Sequence, residues 1–478
     1  MPKNTLPIDR YLFYAFVALF IWLPLPLGSN RIWAVSIMEV WVMLLFIGWL
    51  WLFVQGKVEL TGSVRRAKPA VICFGLFVFW VAFQCLPLPA SLVQILSPES
   101  LSIQSATMES TMAELSSGYM SLSVNVAYTF ESAVKSLCFF LIFLLALLIL
   151  NTPERIRIFI IAIVISGLFQ AVYGSLMTLS GMEYSFFMAK EASQGVATGT
   201  FVNRNHLAGY LEMSLAMGIG MMIVSLSRQP AGSLREWFRR MIVILLGPKA
   251  RMRIALAIMV IALVLTRSRM GNSAFFFSLA IAGVIGLLGV LWMSRKGKMS
   301  AYSVRPILVL FVSLIVIDVF IVGAWFGIDK VKERMEQTSF ATEIRDEVDI
   351  NTADHVKAFW LTGSGGGTFA EVFPAFKSAA FSGYIDHAHN DYLEFGSEFG
   401  LIGITLLALL VFWSLIKSIQ AQFLRRSYLM RGAGFSSTMG IVAIMIHSFV
   451  DFNLQIPANA ALFVVLLAFG WIARYQRN

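Results

Sequence analysis

The stretch DHAHNDYLEFGSEFGLIG, from Asp386 to Gly403, sets His387, His389, Asp391, Glu394 and Glu398 immediately before an apolar run. A neutral imidazole is the ordinary general base near neutral pH, so this cluster points to proton transfer. His-x-His flanked by Asp386 and Asp391 also fits a loose metal pattern, and a capping role for the same polar residues stays open. A second stretch, TGTFVNRNHLAGYLEM from Thr198 to Met213, runs from a polar loop into an apolar helix. Asn203 or Asn205 can cap that helix, and its free amides and positive dipole end suit an anion such as phosphate. Arg204 adds a permanently charged donor fork, although it also reads as a side chain reaching for lipid headgroups. His206 follows it, and Glu212 lies two turns further on. A third stretch, LTRSRMGNSAF, sets Arg267 and Arg269 between two apolar runs. A fourth, HSFVDFNLQIPANA, begins at His447 and carries Asp451, Asn453, Gln455 and Asn459 around Pro457. So many polar groups at a helix junction need partners or water. GSGGGTF, Gly363 to Phe369, has no GK[ST] and reads as a tight turn sooner than a phosphate loop.

The elements that must position these residues are membrane helices. The chain is 58% hydrophobic and 13% charged, against about a quarter charged for soluble domains. Apolar runs long enough to span recur from end to end. We count twelve, centred near Ala18, Met43, Leu76, Ile142, Ser166, Ala216, Met259, Ala282, Leu314, Leu407, Ala443 and Leu466. With the N-terminus in the cytoplasm, the loops rich in Lys and Arg all fall inside: residues 57–68, 155–157, 228–253, 295–305, 417–431 and the tail. The expected architecture is an all-α integral membrane protein, one polytopic domain over 1–478, with about twelve transmembrane helices and both termini cytoplasmic. Three long outer loops, 87–132, 181–205 and 329–392, are expected to carry short helices. Leu234–Leu246 reads as an interfacial helix on the inner leaflet.

The net charge of +10 does not imply a nucleic-acid partner, because the basic residues sit in loops between apolar runs. Cys73, Cys85 and Cys138 all fall in apolar segments and form no CxxC, so they read as small buried hydrophobes. The first apolar run, after Lys3 and Arg10, has no small-residue cleavage site and reads as a retained helix.

NRNHLAGYL, the T-x-S-R-x-G piece Thr266–Gly271, GSGGGTF, HNDYLEFGSEFGLIG and VDFNLQIPAN appear in the order found in one group of enzymes. Over about Thr198 to Ala460 the chain resembles the O-antigen ligase and polymerase superfamily of bacterial membrane glycosyltransferases. The resemblance implies a glycan donor on undecaprenyl pyrophosphate, used at the periplasmic face of the bacterial inner membrane. It implies His389 as the base for an acceptor hydroxyl, with Arg204 and Arg269 holding the diphosphate and Arg267 as their neighbour. Asn203, Asn205, His206, His387, Asn390, Tyr392 and Asp451 are the expected supporting residues. The expected activity is an inverting transfer with no metal and no cofactor, since arginines neutralise the leaving group and no DxD motif is present. A lipid A-core acceptor is favoured, which makes the enzyme a ligase. A polymerase extending a lipid-linked glycan is next, then a protein O-oligosaccharyltransferase. A transporter is the rival from another class. It would place polar residues at mid-membrane and show symmetry between halves, whereas these motifs gather on one face.

Overall fold

A computed structural model describes residues 7–110, 118–186, 188–190, 193–225, 248–295, 347–377 and 383–476. Sixteen helices are used below: α1 Pro7–Trp22, α2 Ile32–Val54, α3 Gly62–Arg66, α4 Lys68–Phe83, α5 Ala90–Leu96, α6 Pro98–Ser110, α7 Val126–Ile149 and α8 Pro153–Ser180. Then come α9 Arg204–Ser225, α10 Pro248–Leu265, α11 Arg269–Arg295, α12 at 347–358, α13 Phe369–Val372, α14 Asp391–Leu424, α15 Tyr428–His447 and α16 Pro457–Tyr475. The only strands among the described residues are two antiparallel two-residue pairs, Leu88–Pro89 with Tyr119–Met120 and Tyr184–Ser185 with Met188–Ala189. The protein is therefore an all-α membrane protein.

Eight helices are long and apolar enough to cross a bilayer: α2, α7, α8, α9, α11, α14, α15 and α16. They account for eight of the twelve expected spans. The runs near Ala18 and Leu76 form 16-residue helices, α1 and α4. The run near Met259 forms the 18-residue α10. The span centred near Leu314 and the helix at Leu234–Leu246 lie outside the described residues.

The bundle has two chemically distinct ends. At one, the buried Arg155 at the start of α8 pairs with Asp9 of α1 at 2.5 Å and donates to the carbonyl of Ile149 that closes α7. Thr61 Oγ1 donates to Leu147 O, Arg425 donates to Gln476 O, and the Gln476 amide reaches Asn151 O. Lys57, Arg65, Arg66, Lys68, Arg157, Arg426 and Arg474 lie at the same helix ends. At the other end, the sequence motifs meet. Ala197 N donates to Leu265 O, and Thr200 Oγ1 donates to Pro24 O, so the segments before α9, after α10 and after α1 are tied together.

Small residues let the helices approach closely, as they do where packing supplies the attraction between helices in lipid. A Cβ at Gly220 of α9 would lie 2.4 Å from Gly432 O of α15, and one at Gly470 of α16 would lie 2.5 Å from Ser414 O of α14. Helix α15 is central, packed against α9, α11, α14 and α16.

Helix α14 is broken at Gly400, whose φ of 63° and ψ of −171° lie outside the range open to other residues. A break inside lipid must have its backbone groups satisfied by protein. The Gly-rich turn does this: Ser364 N and Gly365 N donate to Ser397 O and Glu398 O, and Leu401 N donates to Trp360 O. Gln84 Nε2 donates to Thr362 O and Glu398 O at 2.7 and 2.9 Å. The turn is thus a packing element, and a Cβ at Gly363 would sit 2.1 Å from Glu398 O. Its effect is to fix the first turns of α14, which carry the histidine segment.

Candidate active site

The histidine segment is shaped by one carboxylate. Glu394, in the first turn of α14, accepts from His387 Nδ1 at 2.7 Å with one oxygen and from Ala388 N at 2.8 Å with the other. Asn390 caps α14, its side chain accepting from Tyr392 N and Leu393 N. Between these two anchors His389 is forced into the left-handed region, φ 55°. That conformation costs a non-glycine residue about 1–2 kcal/mol, and the flanking hydrogen bonds hold it. Strain of this kind clusters at functional sites.

The segment is bound to the α15–α16 junction. Asp391 N donates to Ser448 O at 3.0 Å, and Asp391 Oδ2 accepts from Ser448 Oγ at 2.7 Å and from Leu454 N at 3.2 Å. Tyr392 Oη donates to Met445 O at 2.7 Å. The junction therefore presents Asp451 and Phe452 to the histidines. His389 Nδ1 lies 3.7 Å from Asp451 Oδ1, within ion-pair reach and beyond a hydrogen bond. Three imidazoles surround Phe452: His387 stacks on it at 4.2 Å, while His206 and His389 meet its edge at 4.7 and 4.9 Å.

His206 comes from the first turn of α9. Its carbonyl accepts from Asn459 Nδ2, which also donates to Asn453 Oδ1, both at 2.9 Å. Asn203 caps α9, its side chain accepting from Asn205 N. Arg204 is the first residue of α9, half-buried, and Arg269 is the first residue of α11, exposed. Arg267 is exposed and takes a left-handed φ of 52° in the tight reversal between α10 and α11. Ser268 caps α11, its hydroxyl accepting from Gly271 N. A Cβ at Gly271 would lie 2.6 Å from Ala208 Cβ, so α9 and α11 start side by side. Two helix N-termini with positive ends, each beginning on an arginine, open toward the same space.

The electrostatics divide by sign. Burial pulls the His387 imidazole down, but the charge and hydrogen bond of Glu394 outweigh it, helped by Asp386 and Glu398, and raise it to about 9. His387 is therefore a cation at neutral pH. Burial pushes the Asp451 carboxyl up, but contact with His389 and the charges of His206 and His447 overcome it and hold Asp451 at about 2. It is a carboxylate under all ordinary conditions.

The structure thus brings His206, His387, His389, Asn390, Tyr392 and Asp451 together. It sets Asn203, Arg204, Asn205, Arg267 and Arg269 at the same end of the bundle. His355 stands apart. It lies in the Gly-turn cluster, stacked on Phe376 at 5.1 Å with Nε2 3.2 Å from Ser364 Oγ, and burial lowers it to about 3. Phe452 was not foreseen, because a phenylalanine among apolar residues carries no sequence signal. The clamping role of Glu394 was hidden for another reason: the His-x-His spacing does not say which nearby carboxylate folds back onto it. No group of three or more His, Cys, Asp or Glu that could hold a metal ion is present among the described residues.

A family model described as O-antigen ligase matches residues 254–408, which include Arg267, Arg269, His387, His389 and Glu394. The match supports membership in the O-antigen ligase/polymerase superfamily. No curated protein matches the chain.

Proposed function

We propose that this member of the O-antigen ligase/polymerase superfamily transfers a glycan from undecaprenyl pyrophosphate to an acceptor hydroxyl, with inversion and without a metal ion. The observation that carries the reading is the placement of His389. It is held in a strained conformation beside the Asp451 carboxylate, at the end of the bundle where α9 and α11 begin on Arg204 and Arg269. With Nδ1 turned to Asp451, Nε2 is the atom left for the acceptor. The acceptor oxygen attacks the anomeric carbon, its proton passes to His389 Nε2, and the bond to the diphosphate oxygen breaks. The diphosphate leaves with the electron pair, and two guanidinium groups and two helix N-termini take up its charge. Arg267 and the His387 cation add to the positive field. Asn203 and Asn390 act by capping, and Asn205, His206 and Tyr392 act by building the walls.

We place this end in the periplasm of a bacterial inner membrane and both chain termini in the cytoplasm. The opposite end gathers the basic residues, which is the cytoplasmic signature. Among the described residues, α1, α4 and α10 also run from one end to the other, besides the eight longer helices. Helix α11 finishes at the basic end, and the next described residues lie at the opposite end. Both facts support twelve spans. The loops 87–132, 181–205 and 329–392 then belong to the outer face of one membrane domain.

The acceptor we favour is lipid A-core. Purified protein given a lipid-linked glycan and, separately, lipid A-core or a second lipid-linked glycan tests this, with His389→Ala alongside. Product on lipid A-core that falls at least a hundredfold in the variant supports ligase and base together. Lengthened lipid-linked glycan makes the enzyme a polymerase. Full activity in His389→Ala overturns the assignment of the base.

A further inference from the structure

Behind Asp451 lies a second buried pair that the transfer reaction as described does not use. Glu212, on the third turn of α9, and His447, the last residue of α15, are both completely buried. His447 Nδ1 lies 2.9 Å from Glu212 Oε1, and its other nitrogen, Nε2, lies 3.8 Å from Asp451 Oδ2. Asp451 in turn offers its other oxygen to His389. The order is Glu212, His447, Asp451, His389, running from the interior of the bundle to its open end. Asn453 Nδ2 also donates to Asp451 Oδ2, at 3.4 Å. His447 faces Glu212 and His206 from α9, Asp391 from α14 and Asp451 from the α15–α16 junction.

A buried carboxylate needs a donor or a cation on each free oxygen. We infer that Glu212 and His447 are positioning residues for His389: Glu212 keeps His447 protonated on Nδ1, and His447 turns an N–H toward Asp451. Asp451 is then fixed as an anion aimed at His389 Nδ1. With Glu212 and Asp451 ionised, His447 cationic and His389 neutral, the four groups carry one net negative charge. The proton from the acceptor hydroxyl brings them to neutrality, and it stops on His389. Glu212 and His447 cancel each other's charge and take no proton; they hold Asp451, which is the counter-charge. This rests on His389 being the base.

The test compares Glu212→Gln, His447→Gln and His447→Leu with wild type, in the purified full-length chain, by steady-state transfer from pH 5.5 to 9. Glutamine at 447 keeps an N–H donor for Asp451, and leucine does not. Glu212→Gln is expected to lower kcat about tenfold with KM for the lipid-linked donor unchanged, and to shift the acid limb of the kcat profile to lower pH. His447→Gln is expected to retain several-fold more kcat than His447→Leu. A merely structural role would move neither the limb nor the order of these two variants. Wild-type kcat and pH profile in Glu212→Gln, or equal kcat in the two His447 variants, overturns the inference. If Glu212→Gln does not survive purification, the His447 pair carries the decision. Failure of the base assignment is distinguishable: it appears as activity in His389→Ala, whatever the other variants do.

Discussion

The substitution Glu394→Gln isolates the charge that shapes the histidine segment. Glutamine keeps the shape and one acceptor for Ala388 N, but removes the anion facing His387 at 2.7 Å. In the folded protein His387 holds its proton to about pH 9, and the ordinary imidazole holds it to 6.5. A raised folded value means that the proton stabilises the fold fully below pH 6.5 and that this contribution fades as pH climbs through 9. Linkage makes it about 3 kcal/mol below pH 6.5, about 2 kcal/mol at pH 7.5, and close to nothing above pH 10. The His387 side chain is about a quarter exposed, 26%, so screening trims these values only modestly. Thermal unfolding of both proteins in one detergent, from pH 6.5 to 10, measures the difference while other titrations cancel. The Tm of the variant is expected to lie below that of wild type at pH 7, with the two curves converging as pH approaches 10. A gap that stays constant across this range, or no gap at all, refutes the claim that the His387 cation is held by Glu394.

Gly209→Ala attacks the site without replacing a polar side chain. The new Cβ would fall 2.3 Å from Asn453 Oδ1, pushing the amide that reaches Asp451. Transfer is expected to fall about tenfold at a stability cost of about 1–3 kcal/mol, measured by kcat and Tm; unchanged kcat would separate Asn453 from the chemistry. Arg204→Lys and Arg269→Lys keep the charge and lose the bidentate fork, so each is expected to lower kcat/KM at least tenfold. Wild-type rates in both would remove the diphosphate clamp. A chelator is expected to leave transfer within about twofold of its starting rate, and rescue of a lost activity by a divalent ion would overturn the metal-free reading.

The membrane class and eight of the spans were legible because hydropathy over twenty residues is a strong signal. Helices α1 and α4, at 16 residues, carry a weaker one. The polar motifs were legible because charged and amide groups beside apolar runs are costly unless used. Their partners were another matter. That His387 answers to Glu394, and His447 to Glu212 at a separation of 235 residues, follows from which helices touch, and local spacing does not encode it. The Gly-rich turn shows the same limit. GSGGGTF announces a tight turn, but its purpose is set by a glycine elsewhere, Gly400, whose break in α14 leaves carbonyls that the turn's amides satisfy.

If the proposed transfer is right, the arrangement also explains why the residues assigned to it are scattered along the chain. Transfer from a diphosphate needs fixed positive charge at the leaving group and a fixed negative charge behind the base. The two must not neutralise each other directly. Arginines at the starts of α9 and α11 sit on positive helix ends, where cations are disfavoured in isolation and an anionic ligand is favoured. Asp451 sits in the α15–α16 junction, fully buried, with His389 on its open side and His447 behind it. A single loop could not hold both charges apart in so small a space. Separate helices can, because each charge is anchored by its own cap or partner: Asn203 for Arg204, Ser268 for Arg269, and Asn453 for Asp451. On this reading the bundle's main contribution to catalysis is to keep those charges from collapsing onto one another before the substrate arrives.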